Sequence, residues 1–126
     1  MSRREEIEGL VVCRVGDHRV AFPAVSVGTI ATWEVGDAPA PMARDAFALP
    51  NAPGKMLVHG GFSLVVDALE INTDRTTLMP VPALMRGAVG GALRGFVSIS
   101  KELMPLFGLA EFATFVTALP VRGGAA

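Results

Sequence analysis

Few residues of this chain could carry covalent chemistry: Cys13, His18, His59, Ser63 and the carboxylates Asp67 and Glu70. His59-Gly60-Gly61 has the composition of an oxyanion loop, and Gly61-Phe62-Ser63 opens like a nucleophile elbow. The elbow needs Gly-x-Ser-x-Gly, because a glycine on each side lets the serine occupy a sharp strand-to-helix turn. Position 65 is valine, so that turn is not encoded. Cys13 lies inside an apolar run, where a small buried thiol fits better than a thiolate paired with His18 or His59. A metal would need three or four convergent ligands, and the chain has no paired cysteines and no i, i+4 histidines. Asp67 and Glu70 are three apart, which sets them on opposite faces of a strand. The glycines Gly87, Gly90, Gly91 and Gly95 match neither the dinucleotide fingerprint nor the P-loop, and suit tight turns or close backbone approach beside a strand. No catalytic residue, cofactor or metal is expected. The alternative function is a small β-barrel that binds a ligand, or acts as a hydrolase, through His59 and Ser63.

Composition narrows the field further. The chain has 126 residues, enough for one domain, expected to span 1–126 with a lead-in over 1–8 and a tail over 121–126 that are flexible. Hydrophobic residues make up 51% and charged residues 18%, yet the apolar runs are interrupted by Asp67, Arg86, Arg94 and Lys101 long before a bilayer-spanning length. No membrane span is expected, and the first residues lack the apolar stretch of a secretory signal. One cysteine excludes an internal disulfide framework and fits a reducing compartment, so the cytoplasm is the expected location. The net charge of −1 and the absence of a basic stripe argue against nucleic acid as a partner.

The elements that position these residues are short strands between Gly- and Pro-marked turns. Leu10–Val15 and His18–Phe22 flank Gly16-Asp17 and predict a hairpin. Pro23 ends it, and Val25–Trp33 suits a third strand with a turn near Ser26. From Gly36 to Gly54, four prolines bracket Met42–Phe47, a connector with room for a helical turn. Lys55–His59 and Phe62–Val66 flank Gly60-Gly61 in a second hairpin, and the apolar strand is read as running on through Val65–Ile71. Asn72–Thr77 reads as a polar loop, and Pro82–Arg86 as a helical turn ended by Gly87. Two apolar runs hinged at Ser100-Lys101 form a third hairpin from about Leu93 to Phe107. Leu109, Phe112, Phe115 and Val116 are spaced for a C-terminal helix. The sum is a β-barrel or sandwich with minor helices.

Exposed apolar surface is the stronger functional lead. Six methionines are present, several beside prolines or in connectors, and methionine adapts to grooves that accept a partner. Trp33 needs a partner for its indole N–H, so it either sits half-buried or anchors an interface.

The order of motifs then resembles a CheW-like domain, the adaptor family that couples chemoreceptors to a histidine kinase. Val15–Pro23 is similar to the family's opening hairpin, and Val27–Ile30 to the strand after it. Val66-Asp67, Pro82, Gly95 and Leu106 match the family's Val-Asp, the proline before its last hairpin, that hairpin's opening glycine and its closing leucine. Gly108 stands where an aspartate is frequent. Between Trp33 and Lys55 the chain has a proline-rich connector and no Arg-Gly pair, where the family carries an Asn-x-Arg-Gly-like turn. The resemblance implies a mainly β fold: one small SH3-like barrel, or two with one abbreviated, and a short C-terminal helix. It implies a non-catalytic adaptor in bacterial chemosensory-type signalling. Its expected partners are a histidine kinase regulatory domain, a chemoreceptor cytoplasmic tip, or another copy of itself. The expected partner-binding residues are Val27, Ile30 and Trp33, with Asp67 and Arg94 as polar neighbours.

Overall fold

A computed structural model describes residues 5–119. Two glycine-marked hairpins form at the expected turns. Strand β1 (Glu5–Val15) pairs antiparallel with β2 (His18–Pro23) about Gly16-Asp17. A 3-10 turn at Ala24–Ser26 leads into β3 (Thr29–Trp33), which is shorter than the strand expected from Val25. A single-turn helix α1 (Ala43–Ala46) sits in the proline-bracketed connector. Strands β4 (Gly54–His59) and β5 (Phe62–Val66) close on Gly60-Gly61, both at positive φ, as a tight two-residue hairpin turn requires.

Asp67 interrupts the strand that was expected to continue to Ile71, and β6 (Ala68–Leu78) starts beyond it. β6 runs on through Asn72–Thr77, expected as a loop, because β1 supplies partners on both sides of a register shift between Glu8 and Leu10: Glu6↔Thr77, Ile7↔Thr76 and Glu8↔Arg75 on one side, Leu10↔Asn72 on the other. Its charged side chains face water, where Arg75 meets Glu6 at 3.7 Å and Glu8 at 3.4 Å, while Thr76 is buried. For the same reason Glu5–Glu8 is not a flexible lead-in but the first third of β1; residues 1–4 and the 121–126 tail lie outside the described residues. Two 3-10 turns follow, Ala83–Met85 and Ala88–Gly91. Strands β7 (Leu93–Ile99) and β8 (Glu102–Phe107) form the third hairpin at Ser100-Lys101, and α2 (Leu109–Ala118) ends the described chain.

The strands make two sheets, one in the order β6-β1-β2-β8-β7 and one in the order β3-β4-β5. The larger sheet closes on itself. Met79, just past β6, exchanges backbone hydrogen bonds with Phe96 of β7 at 2.8 and 2.9 Å. Gly95 permits this closure, because a Cβ there would collide with the Met79 carbonyl oxygen and come within 2.6 Å of Leu78 Cδ1.

Leu10–Cys13 in β1 is buried on both faces, which explains that unbroken apolar run. Leu10 and Val12 point into the barrel with Ala21, Val97, Met104 and Leu106. Val11, Cys13 and Val15 point outward into the larger core, against Leu57, Leu64 and Val66 of the small sheet and Phe112 and Val116 of α2. Phe112 stands edge-on to Phe22 at 5.9 Å and to Phe107 at 4.7 Å, an arrangement that aromatic quadrupoles favour. The architecture is thus one closed barrel and one abbreviated second sheet, sealed together by α2.

Candidate partner-binding groove

The link between barrel and small sheet is Asp67. Its carboxylate accepts the Gly16 N–H at 2.8 Å from the β1–β2 turn. It also accepts both ends of the Arg44 guanidinium, Nε at 2.8 Å and Nη2 at 2.9 Å, with Arg14 Nη1 3.9 Å away. Arg44 further donates to the Pro50 carbonyl at 2.9 Å, which braces the connector against itself. Burial alone would push the Asp67 carboxyl up, since only 9% of its side chain is exposed. The hydrogen bonds from Arg44 and Gly16 and the charges of Arg44 and Arg14 outweigh that and hold it below the usual aspartate range. Around this clamp Phe47 stacks on His18 with ring centroids 4.3 Å apart. The connector is therefore bolted across the first hairpin. Arg44 is the residue that sequence reasoning missed, because its partner is distant in the chain and Arg44 itself stands in no motif.

Beside the clamp a groove of about 240 Å³ opens between the small sheet and β6. Ile30, Ala31 and Thr32 of β3 and Lys55 of β4 form one wall, and Asp67, Ala68 and Leu69 the other. Ile30 is 43% exposed, and Ile71, two residues beyond Leu69 on the same face of β6, is also exposed. Leu69 packs against the larger core, so the groove floor is an outcrop of that core. Lys55 Nζ reaches the Thr32 hydroxyl at 3.2 Å on its rim.

The structure divides the five expected site residues. Ile30 and Asp67 line the same groove. Val27 is half-buried against the larger core. Trp33 is buried at 7% exposure among Met42 and Val65, and its indole N–H donates to the Ala38 carbonyl at 3.0 Å. That satisfies the indole internally, so Trp33 is a core residue and not a surface anchor. Asp67 is held by the clamp and offers little to a partner. Arg94 is outside the groove and ties β7 to α2 through Glu111, with Nη2 at 2.9 and 3.0 Å from its two oxygens. That hydrogen bond lowers the Glu111 carboxyl against a smaller effect of burial. Gly108 makes the approach possible, since a Cβ there would lie 2.6 Å from Arg94 Nε. The methionines divide too: Met42 and Met104 are core, while Met79 and Met85 are exposed beside the fully exposed Leu84.

The geometry gives no support to hydrolysis. Ser63 pairs with Val58 and His59 with Phe62, so serine and histidine project from opposite faces of their hairpin. Cys13 is fully buried, and burial pushes its thiol up to about 12. Among the described residues no three His, Cys, Asp or Glu side chains converge as metal ligands, and no helix is long and apolar enough to cross a membrane.

No protein-family model matches the chain, and no curated protein matches it. Among solved structures it is similar to the scaffolding protein TtCheW from Thermoanaerobacter tengcongensis, with a TM-score of 0.57 at 11% identity. The match covers 90% of this chain and 94% of that one. The chain has a CheW-like fold.

Proposed function

We propose that this chain is a non-catalytic adaptor of bacterial chemosensory-type signalling, working in the cytoplasm. It couples a histidine kinase regulatory domain, a chemoreceptor cytoplasmic tip, or both, through protein contacts. The observation that carries this reading is the groove between β3 and β6, with the exposed Ile30 on its wall, a partly buried apolar floor and a polar rim, on a fold similar to a scaffolding protein over nine tenths of its length. Apolar centres with polar rims are what protein interfaces use. The kinase side of the coupling has the better support. In the segment where the resemblance implies an Arg-Gly receptor-contact turn, this chain places α1, whose Arg44 is turned inward to Asp67.

The test is a pull-down with tagged protein from native lysate, read by mass spectrometry and repeated with Ile30→Asp. The expected result is recovery of a histidine kinase or a methyl-accepting receptor by the natural chain, and loss of roughly tenfold or more of that recovery with Ile30→Asp at unchanged melting temperature, as burying one unpaired charge at an interface would produce. Recovery of neither partner would defeat the adaptor reading. Undiminished recovery by a folded Ile30→Asp would move the contact away from this groove.

A further inference from the structure

The barrel is joined at a single residue pair. Met79 and Phe96 exchange both backbone hydrogen bonds, and among the described residues no other backbone bond links β6 to β7. Backbone groups alternate between the two edges of a strand. Thr77 and Arg75 of β6 therefore point theirs the same way as Met79, and Ser98 of β7 points its own the same way as Phe96. Pro105, opposite Phe96 on β8, has no N–H to give it, in keeping with Phe96 bonding to Met79 instead. Beyond the joined pair, two strand edges face each other across a slot of about 720 Å³. Leu78 and Ile99, packed on the barrel core, form its floor with Thr76, which is only 9% exposed. Among the described residues the Thr76 hydroxyl has one partner, the Asp74 carbonyl, at a long 3.5 Å.

Unpaired donors and acceptors at strand spacing on both rims define the occupant. Only an extended polypeptide carries N–H and C=O groups along both of its edges at that repeat. The charges define it further. Of the two charged residues in the lining, Arg75 is engaged by Glu6 and Glu8, whereas the Asp74 carboxylate meets no cation among the described residues. Continuing the Met79–Phe96 register sets Thr76 across from Ile99. A side chain between them meets a hydroxyl on one side and methyl groups on the other, which suits a threonine. We propose that the slot binds an extended peptide as an added barrel strand. Its inward side chains, at every second residue, are an apolar group against Leu78, a threonine between Thr76 and Ile99, and a lysine or arginine at Asp74. The slot shares no lining residue with the groove beside β3, so this binding stands or falls independently of the adaptor reading.

The test titrates the purified chain with two acetylated and amidated peptides, Val-Thr-Thr-Thr-Lys and its reverse, Lys-Thr-Thr-Thr-Val. Both are needed because β6 and β7 run in opposite directions, so the slot offers a parallel and an antiparallel rim to either peptide. One of the two is expected to bind saturably below about 1 mM. Binding is expected to slow amide hydrogen exchange at Arg75, Thr77 and Ser98, and not at Ile30 or Thr32 beside the other groove. Methylating the nitrogen of every second peptide residue strips one edge of its donors and keeps side chains and charge; it is expected to weaken binding at least about tenfold. Ser98→Pro, which removes a slot-facing N–H without touching the ladder to β8, is expected to do the same. Asp74→Asn is expected to weaken binding about threefold at unchanged melting temperature, as loss of an exposed ion pair does. Absence of saturable binding by either peptide, equal binding of the methylated one, or protection at β3 in place of β6 and β7 would each overturn the proposal. So would protection of Arg75, Thr77 and Ser98 that grows with protein concentration alone, which would make a second copy of the chain the occupant.

Discussion

The barrel and the small sheet solve the same problem in opposite ways. Both are built from hairpins with glycine-marked or hinge-like turns, the barrel adding one parallel pair between β2 and β8, and both share the core under α2. The barrel ties its end strands together, with Gly95 admitting the Met79 carbonyl so that β6 and β7 meet. The small sheet covers β5, where Val65 meets Pro41 and Met42, and leaves β3 open. Closure makes the barrel a structural unit with nothing to offer at the Met79–Phe96 seam. Incompleteness gives the small sheet the two features that recognition needs, an unpaired backbone edge and an apolar groove beside it. On the proposed function, stability falls to one half and contact to the other.

Breaking that contrast is most direct at the seam. Gly95→Ala forces a Cβ against a backbone carbonyl that cannot swing aside, so either the two Met79–Phe96 hydrogen bonds are lost or the barrel distorts. A destabilisation of about 3 kcal/mol is expected by chemical denaturation, near the upper end for overpacking. The paired change on the small sheet is Ala31→Lys, an exposed position on the end strand β3 that pairs only with β4 among the described residues, and it is expected to shift monomer stability by no more than about 0.5 kcal/mol. If the two substitutions cost the same, closure is not what separates the halves.

The clamp between the halves comes next. Asp67→Asn removes the carboxylate and leaves the partly buried Arg44 guanidinium with one neutral acceptor in its place. Breaking a fully buried pair costs about 3–5 kcal/mol; with Arg44 somewhat exposed, about 2 kcal/mol is expected here. The pH dependence identifies the cause. The Asp67 carboxyl is lowered in the folded state, so between the folded and unfolded values the unfolded chain binds more protons and stability rises with pH. The contribution is complete above the ordinary aspartate value of about 3.9 and is lost as pH falls through the lowered one. Denaturation midpoints measured across acid pH should therefore drop less steeply for Asp67→Asn than for the natural chain. Parallel profiles would mean that Arg44 and Gly16 do not govern this carboxyl.

Local signals gave away the local structure. Gly16-Asp17 and Gly60-Gly61 mark hairpins because few other residues adopt the backbone those turns require, and the apolar spacing from Leu109 marks α2. Gly95 fits the close backbone approach expected of a strand glycine, although which backbone approaches it is a tertiary fact. β6 was illegible for a physical reason. A strand exposed on one face reads as polar, and only its register with β1 turns Asn72–Thr77 from loop to strand. The clamp was hidden in the same way, since Arg44 stands in no motif and is 23 residues from Asp67. Ile30 could be assigned to an exposed surface through the family resemblance. Trp33 could not be assigned at all, because the Ala38 carbonyl that satisfies it lies in a connector whose path the sequence does not specify.

Arg94 sharpens the division from the barrel side. The resemblance makes it a polar neighbour of the contact surface, whereas its guanidinium spans from β7 to Glu111 on α2, away from the groove lining. Both side chains are substantially exposed, at 53% and 40%, so water and salt screen the pair despite its short, two-oxygen geometry. Arg94→Ala is expected to lower stability by only about 0.5 kcal/mol, an effect that shrinks further as salt is raised to about 1 M. Kinase or receptor recovery should be unchanged within error, in contrast to Ile30→Asp. Loss of recovery with Arg94→Ala in a folded chain would extend the contact surface across α2, and the closed barrel would then share the recognition that the open sheet is proposed to carry by itself.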